Sequence, residues 1–202
     1  MRLVCLDLEG VLVPEIWIAF SGATGIAEFS RTTRDEPDYD RLMRFRLELL
    51  ERYGLRLADI QKTIAGMEPL PGALEFTRSL REKTQLVILS DTYEEFAMPL
   101  MAKLSYPALF CNSLLADPDG KITGYRLRQK NGKMEAVKAF KSLNIQVFAA
   151  GDSFNDLAMI GEADRGCLFR APEKIRLENP GVPSAESYAE LRGEIDKFLA
   201  AP

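Results

Sequence analysis

The chain has 202 residues, 47% of them apolar, and a net charge of −4. That length fits one globular unit, or a core with a small insert, and the acidic balance excludes the basic face of a nucleic-acid binder. Histidine is absent, which excludes Ser-His-Asp triads, Cys-His dyads, His-ligated zinc and phosphohistidine chemistry and leaves acid–base work to carboxylates, Lys, Tyr or Cys.

Residues 2–7 read as a buried strand, because Leu3, Val4, Cys5 and Leu6 are continuous and apolar. No charged, apolar or small-residue leader pattern precedes it, and no apolar run approaches the roughly 18 residues of a membrane span, so a cytoplasmic protein is expected. Residues 14–69 contain no such strand and read as mostly helical. Their clearest helix is 39–53, with Leu42, Phe45, Leu49, Leu50 and Tyr53 at helical spacing, followed by a shorter one at 57–65. Pro69-Leu70-Pro71-Gly72 closes this segment. Apolar strands return at 86–91, 147–152 and, more briefly, 166–169. Helical stretches at 73–81, 94–104, 134–143 and 155–162 lie between or beside them. Asp117-Pro118-Asp119-Gly120 is a strong turn, and its apolar flanks 109–111 and 122–125 suggest an antiparallel pair beside the sheet. The whole is an α/β layered pattern. Cys5, Cys111 and Cys167 are odd in number and unclustered, which argues against a disulfide framework. Neither Cys5 nor Cys167 has the following residues of a thiolate phosphatase loop.

Three strands end in polar groups: Asp7, Ser90-Asp91 and Asp152. In an open parallel sheet the ligand crevice lies outside the carboxyl ends of the strands, so these groups are expected at one edge. One such Asp alone would as readily be a turn or helix-capping residue. The ordered set is more specific. Asp7-Leu8-Glu9-Gly10-Val11-Leu12, Ser90-Asp91, Lys133 and Gly151-Asp152-Ser153-Phe154-Asn155-Asp156 resemble, in order, the four motifs of the haloacid dehalogenase superfamily.

The resemblance implies a Rossmann-like doubly wound parallel sheet, with a catalytic core over 1–13 and 70–202 and a helical cap over 14–69 inserted after the first strand. It implies Asp7 as the nucleophile of phosphoryl transfer and Glu9 as general acid and base. It implies Mg²⁺ held by Asp7, Asp152 and the backbone carbonyl of Glu9, with Asp156 orienting a ligand or water from behind. Asp156 has an alternative reading, as an acidic residue complementing a helix N-terminus. Ser90, Asp91, Lys133 and Asn155 are expected around the phosphate. Lys133 at a helix start is badly placed for the helix dipole unless an anion lies nearby, although a solvated lysine would read the same. Most relatives carry Asp where this chain has Glu9, so the carboxyl here reaches one methylene further.

Arg46 sits inside the apolar stripe Leu42, Leu49, Leu50, an unexpected place for a cation. It reads either as a snorkelling stem or as a fork for a substrate carboxylate. With Glu15 opposite a substrate ammonium it would form an amino-acid clamp, and Thr92 would help hold the acceptor. Within the superfamily the chain resembles the bifunctional phosphoserine phosphatases that also pass the phosphoryl group to homoserine. O-phosphoserine is therefore the expected substrate, water or homoserine the acceptor, and serine and threonine metabolism the setting. A phosphatase for another small phosphate ester and a phosphoacceptor signalling domain are the competing readings.

Overall fold

The computed structural model describes residues 1–201 except Arg34 and Pro37. Seven strands form one sheet: β1 (Arg2–Leu6), β2 (Gln85–Tyr93), β3 (Ala108–Ala116), β4 (Ile122–Arg126), β5 (Gln146–Gly151), β6 (Arg165–Phe169) and β7 (Ser184–Ala185). Their spatial order is β4-β3-β2-β1-β5-β6-β7, parallel throughout except for the antiparallel β3–β4 pair. The helices are α1 (Ile16–Thr24), α2 (Tyr39–Arg52), α3 (Leu57–Ala65), α4 (Ala73–Arg81), α5 (Glu94–Lys103), α6 (Gly132–Ser142), α7 (Leu157–Glu162), α8 (Glu173–Glu178) and α9 (Tyr188–Ala200). The chain is thus the α/β layered fold that the strand pattern predicts, in the doubly wound form that the family resemblance implies.

Alternation along the central strands explains the three layers. Val4 and Leu6 of β1 face one way, with Ile88 of β2 and Phe148 and Ala150 of β5, and join a core formed with α4, α5 and α9. Leu3 and Cys5 face the other way, with Val87, Leu89, Val147 and Ala149, against α6, α7 and α8. Both faces are dry, which is why the strands read as unbroken apolar runs. No helix among the described residues is long and apolar enough to cross a membrane.

Between β1 and α4 the regular elements of the described residues are α1, a 3₁₀ turn (Ala27–Ser30), α2 and α3. An aromatic cluster ties this segment to the sheet layer, with Trp17 against Phe20 and Phe29 and its ring 5.7 Å from that of Phe96 on α5. On α2, Asp38 caps the first turn by accepting the Arg41 N–H.

Several elements depart from the sequence expectation. The predicted helix 155–162 is a 3₁₀ turn (Phe154–Asp156) followed by α7, because the Asp156 carboxylate accepts the N–H groups of Asp152 and Ser153 and tightens that turn. Strand β2 runs two residues past Asp91, to Tyr93. β7, α8 and α9 are additional to the elements expected from the sequence.

Candidate active site

Asp7 directly follows β1 and stays in line with it, since its N–H donates to the Ala150 carbonyl at 3.0 Å. The chain then folds back on itself. Gly10 N–H donates to the Val13 carbonyl at 2.8 Å, and Val13 N–H to the Leu8 carbonyl at 3.0 Å. Gly10 has φ +77°, and a Cβ there would lie 2.4 Å from Asp152 Oδ2. Only glycine lets this loop approach the carboxylate that ends β5 so closely. The site therefore lies outside the carboxyl ends of β1, β2 and β5, where the strand order reverses around β1.

Lys133, near the start of α6, is almost fully buried among carboxylates. Its Nζ lies 2.7 Å from Asp156 Oδ1, 2.9 Å from Asp7 Oδ1 and 3.7 Å from Asp91 Oδ2. Burial opposes its charge, but Asp156, Asp7 and Asp91 together outweigh that and hold its pKa well above the ordinary lysine value. Burial pushes the Asp7 carboxyl well up, and the Asp156 charge adds to this against the pull of Lys133.

Asp156 is fully buried, and its oxygens are engaged. Oδ2 accepts the Asp152 and Ser153 N–H groups at 3.0 Å and the Ser153 hydroxyl at 2.9 Å, while Oδ1 takes Lys133. A Cβ at Gly151 would sit 2.2 Å from Asp156 Cγ, so this strand end is glycine for want of space.

Carboxylate oxygens of Asp7, Asp152 and Asp156 lie within 4.8 Å of one another, all buried. One ammonium does not balance three carboxylates, and the Asp156 and Asp152 charges add to the burial that raises the Asp7 pKa. An all-oxygen, acid-rich set of this kind fits a hard divalent cation such as Mg²⁺.

Glu9 faces the same pocket. Its Oε2 accepts the N–H of Ile16, the first residue of α1, at 2.8 Å. Burial and the Glu15 charge push its carboxyl up to about 7, while the Ile16 bond and Arg46 pull it down. Ser90 is buried and accepts the Thr92 N–H at 3.2 Å. The Asp91 carboxylate receives the Asn155 amide at 2.7 Å.

Arg46 is 6% exposed. Its guanidinium lies over the Trp17 ring, 4.5 Å from the centroid, and Nη2 donates to the Arg31 carbonyl at 2.9 Å. No carboxylate of the described residues lies within 4.0 Å of it. Arg46 Nε and Thr92 Oγ1 are the two buried side-chain polar atoms of the described residues that make no hydrogen bond of ordinary geometry, although the Thr92 hydroxyl is near enough to Glu9 to help pull its carboxyl down. Glu15 precedes α1 without capping it through its side chain. Asp7, Glu9, Glu15, Arg46, Ser90, Asp91, Thr92, Lys133, Asp152 and Asn155 all line one small cavity of about 100 Å³. Asp156 stands behind its wall.

Sequence reasoning missed Trp17, Thr32, Thr33, Tyr39 and Tyr93, which also line the cavity. The Tyr39 and Tyr93 hydroxyls lie 2.7 Å apart and bridge the start of α2 to the end of β2. Tyr93 immediately follows Ser90-Asp91-Thr92, and that adjacency was the available signal.

This strand-end constellation on a doubly wound sheet has counterparts in known proteins. Residues 7–161 match the haloacid dehalogenase-like hydrolase family, and the chain belongs to it. It is 53% identical over 197 residues to the phosphoserine phosphatase ThrH of Pseudomonas aeruginosa, covering 98% of this chain and 96% of that one. It is 52% identical over 197 residues to a phosphoserine phosphatase of Pseudomonas syringae pv. tomato, covering 98% and 83% respectively. A solved substrate-bound phosphoserine phosphatase superposes with a TM-score of 0.76 at 22% identity over 93% of each chain, a likeness of fold.

Proposed function

We propose that this hydrolase is a Mg²⁺-dependent phosphoserine phosphatase that works through a phosphoryl group carried on Asp7, with homoserine as a second acceptor beside water. The observation that carries the substrate reading is Arg46, a buried cation on the wall of the cavity that holds Asp7, which feels Glu9 and Glu15 but forms a salt bridge with no carboxylate of the described residues. A buried charge calls for a partner, and a substrate carboxylate supplies one. Glu15 in the same cavity is the counterpart for the ammonium group. The cavity's small volume suits a substrate of amino-acid size, and two relatives over 50% identical along nearly the whole chain bear the name phosphoserine phosphatase.

In this reading an Asp7 carboxylate oxygen attacks phosphorus and the bond to the serine oxygen breaks. Glu9, whose carboxyl burial raises to about 7, gives its proton to the leaving alkoxide from its protonated form. The resulting carboxylate then takes a proton from water, or from the homoserine hydroxyl, as that oxygen attacks the phosphoryl group and Asp7 is released. Lys133, Ser90 and Asn155 hold the transferring oxygens, and Asp91 steadies Lys133 and Asn155. Asp7, Asp152 and the Glu9 carbonyl would hold Mg²⁺, which when bound neutralises charge on the phosphoryl group. Asp156 keeps Lys133 and the loop after β5 in place. The helical segment 14–69 acts as a cap that excludes water, and Thr92 meets the acceptor.

The test is incubation with O-phosphoserine and Mg²⁺, with and without homoserine, followed by identification of the products. Serine and phosphate are expected in the first case, and phosphohomoserine in addition in the second. Turnover of other small phosphate esters in preference to phosphoserine would overturn the substrate reading.

A further inference from the structure

We infer that Asn112, on β3 and outside every recognised motif, is a positioning residue that fixes the phosphate-binding edge through two backbone contacts. The inference rests on the phosphoryl-transfer reading above. Its origin is an irregularity in the sheet. Leu89 pairs with Phe110 and Tyr93 with Asn112, so Ser90, Asp91 and Thr92 together stand opposite the single residue Cys111. A bulge of this kind takes backbone groups off the ladder and re-aims side chains. Here it turns the end of β2 into the rim of the cavity.

The freed carbonyl of Asp91 needs a donor. Asn112 Nδ2 supplies it at 3.0 Å, with the Tyr39 hydroxyl further off at 3.4 Å. The other end of the same amide is also used, since Asn112 Oδ1 accepts the Arg128 N–H at 3.0 Å. Arg128 in turn donates from Nη2 to the Gly132 carbonyl at 3.0 Å, one residue before Lys133. Asn112 is 7% exposed and does not line the cavity. It touches no reacting atom, yet it links the segment bearing Ser90, Asp91 and Thr92 to the loop that delivers Lys133. A short amide offers both the donor and the acceptor that this link requires. The two linked segments meet again in the site, where Lys133 Nζ lies 3.7 Å from Asp91 Oδ2.

Asn112→Asp separates positioning from packing. It keeps the shape and the acceptor for Arg128, but sets an oxygen against the Asp91 carbonyl. The expected result is a kcat lower by about 10- to 100-fold, the usual consequence of losing a supporting contact behind a reactive group. The loss should be equal for phosphoserine and p-nitrophenyl phosphate, because the phosphoryl cradle is common to both. Inhibition by orthovanadate, a five-coordinate mimic of the transferring group, should weaken by a similar factor, while KM for phosphoserine changes little. Melting curves establish that the variant is folded at the assay temperature. If Asn112→Asp does not fold, Asn112→Ser, which keeps a donor but shortens its reach, carries the same comparison. A folded variant with wild-type kcat and wild-type vanadate inhibition would overturn the inference. Failure of the wild-type enzyme on phosphoserine alone would instead overturn the substrate reading, and the aryl phosphate and vanadate comparisons would stand.

Discussion

Lys133 Nζ lies 2.9 Å from Asp7 Oδ1 although the two residues are 126 positions apart in sequence (133 − 7) and both are almost fully buried. In the proposed mechanism the ammonium is what keeps this carboxylate ready for attack in a site where burial and Asp156 raise its proton affinity. Lys133→Met should therefore silence phosphate release. It should also destabilise the fold by about 3–5 kcal/mol, because removing one partner leaves buried carboxylates uncompensated. Urea unfolding alongside activity checks both halves, and an inactive variant of undiminished stability would contradict the electrostatic account.

Glu9 owes its position to the extra methylene, through which Oε2 reaches the Ile16 N–H at the start of α1 at 2.8 Å. Glu9→Asp cannot keep both that bond and its place in the cavity, so kcat should fall. Glu9→Gln, which keeps the length but cannot transfer the proton, should lower kcat by about 100-fold or more. A Glu9→Gln enzyme with near-normal kcat would remove Glu9 from acid–base catalysis.

Arg46→Ala should raise KM for phosphoserine much more than KM for p-nitrophenyl phosphate, which has no carboxylate to bind. Arg46→Lys should recover little, because an ammonium lacks the planar fork and stacks less well on Trp17. Equal effects on both substrates would refute the clamp.

The thiols set a pH dependence of stability that is independent of the active site. Burial pushes Cys5 and Cys167 up to about 12, whereas unfolded cysteine ionises near 8.5. Below that value both states hold the proton and the stability is fully present. As pH rises toward 12 the unfolded chain binds fewer protons than the native one, so stability falls by about 1.4 kcal/mol per pH unit for each thiol. Burial likewise pushes Tyr39 and Tyr188 up to about 12, and they add to the loss at the alkaline end. Urea midpoints should drop steadily between pH 8 and 10, and a flat profile would contradict this.

The sheet was legible in the sequence wherever a strand is buried on both faces, because continuous apolar runs such as 3–6 and 86–89 have no other ready reading. Where burial is one-sided or tertiary contacts decide, less could be read. On α9, Leu191, Ile195 and Phe198 face the core and Ser187 accepts the Glu190 N–H, a spacing and a capping pair that the sequence does carry. β7 is two residues long, with too little sequence to carry a period. The motif residues could be assigned to one cavity because each lies at a strand end or a helix start. Tyr39, Trp17 and Asn112 could not, since their roles arise from packing between distant elements and from a bulge that no local pattern encodes.

The claim on which the account depends is that the carboxylate ending the first strand carries the phosphoryl group. Acid quenching of the enzyme during turnover of labelled phosphoserine, followed by peptide mapping, tests it directly. The account predicts label on the peptide containing Asp7, lost together with turnover in a folded Asp7→Asn variant. Label on another residue, or phosphate release that survives Asp7→Asn, would contradict it.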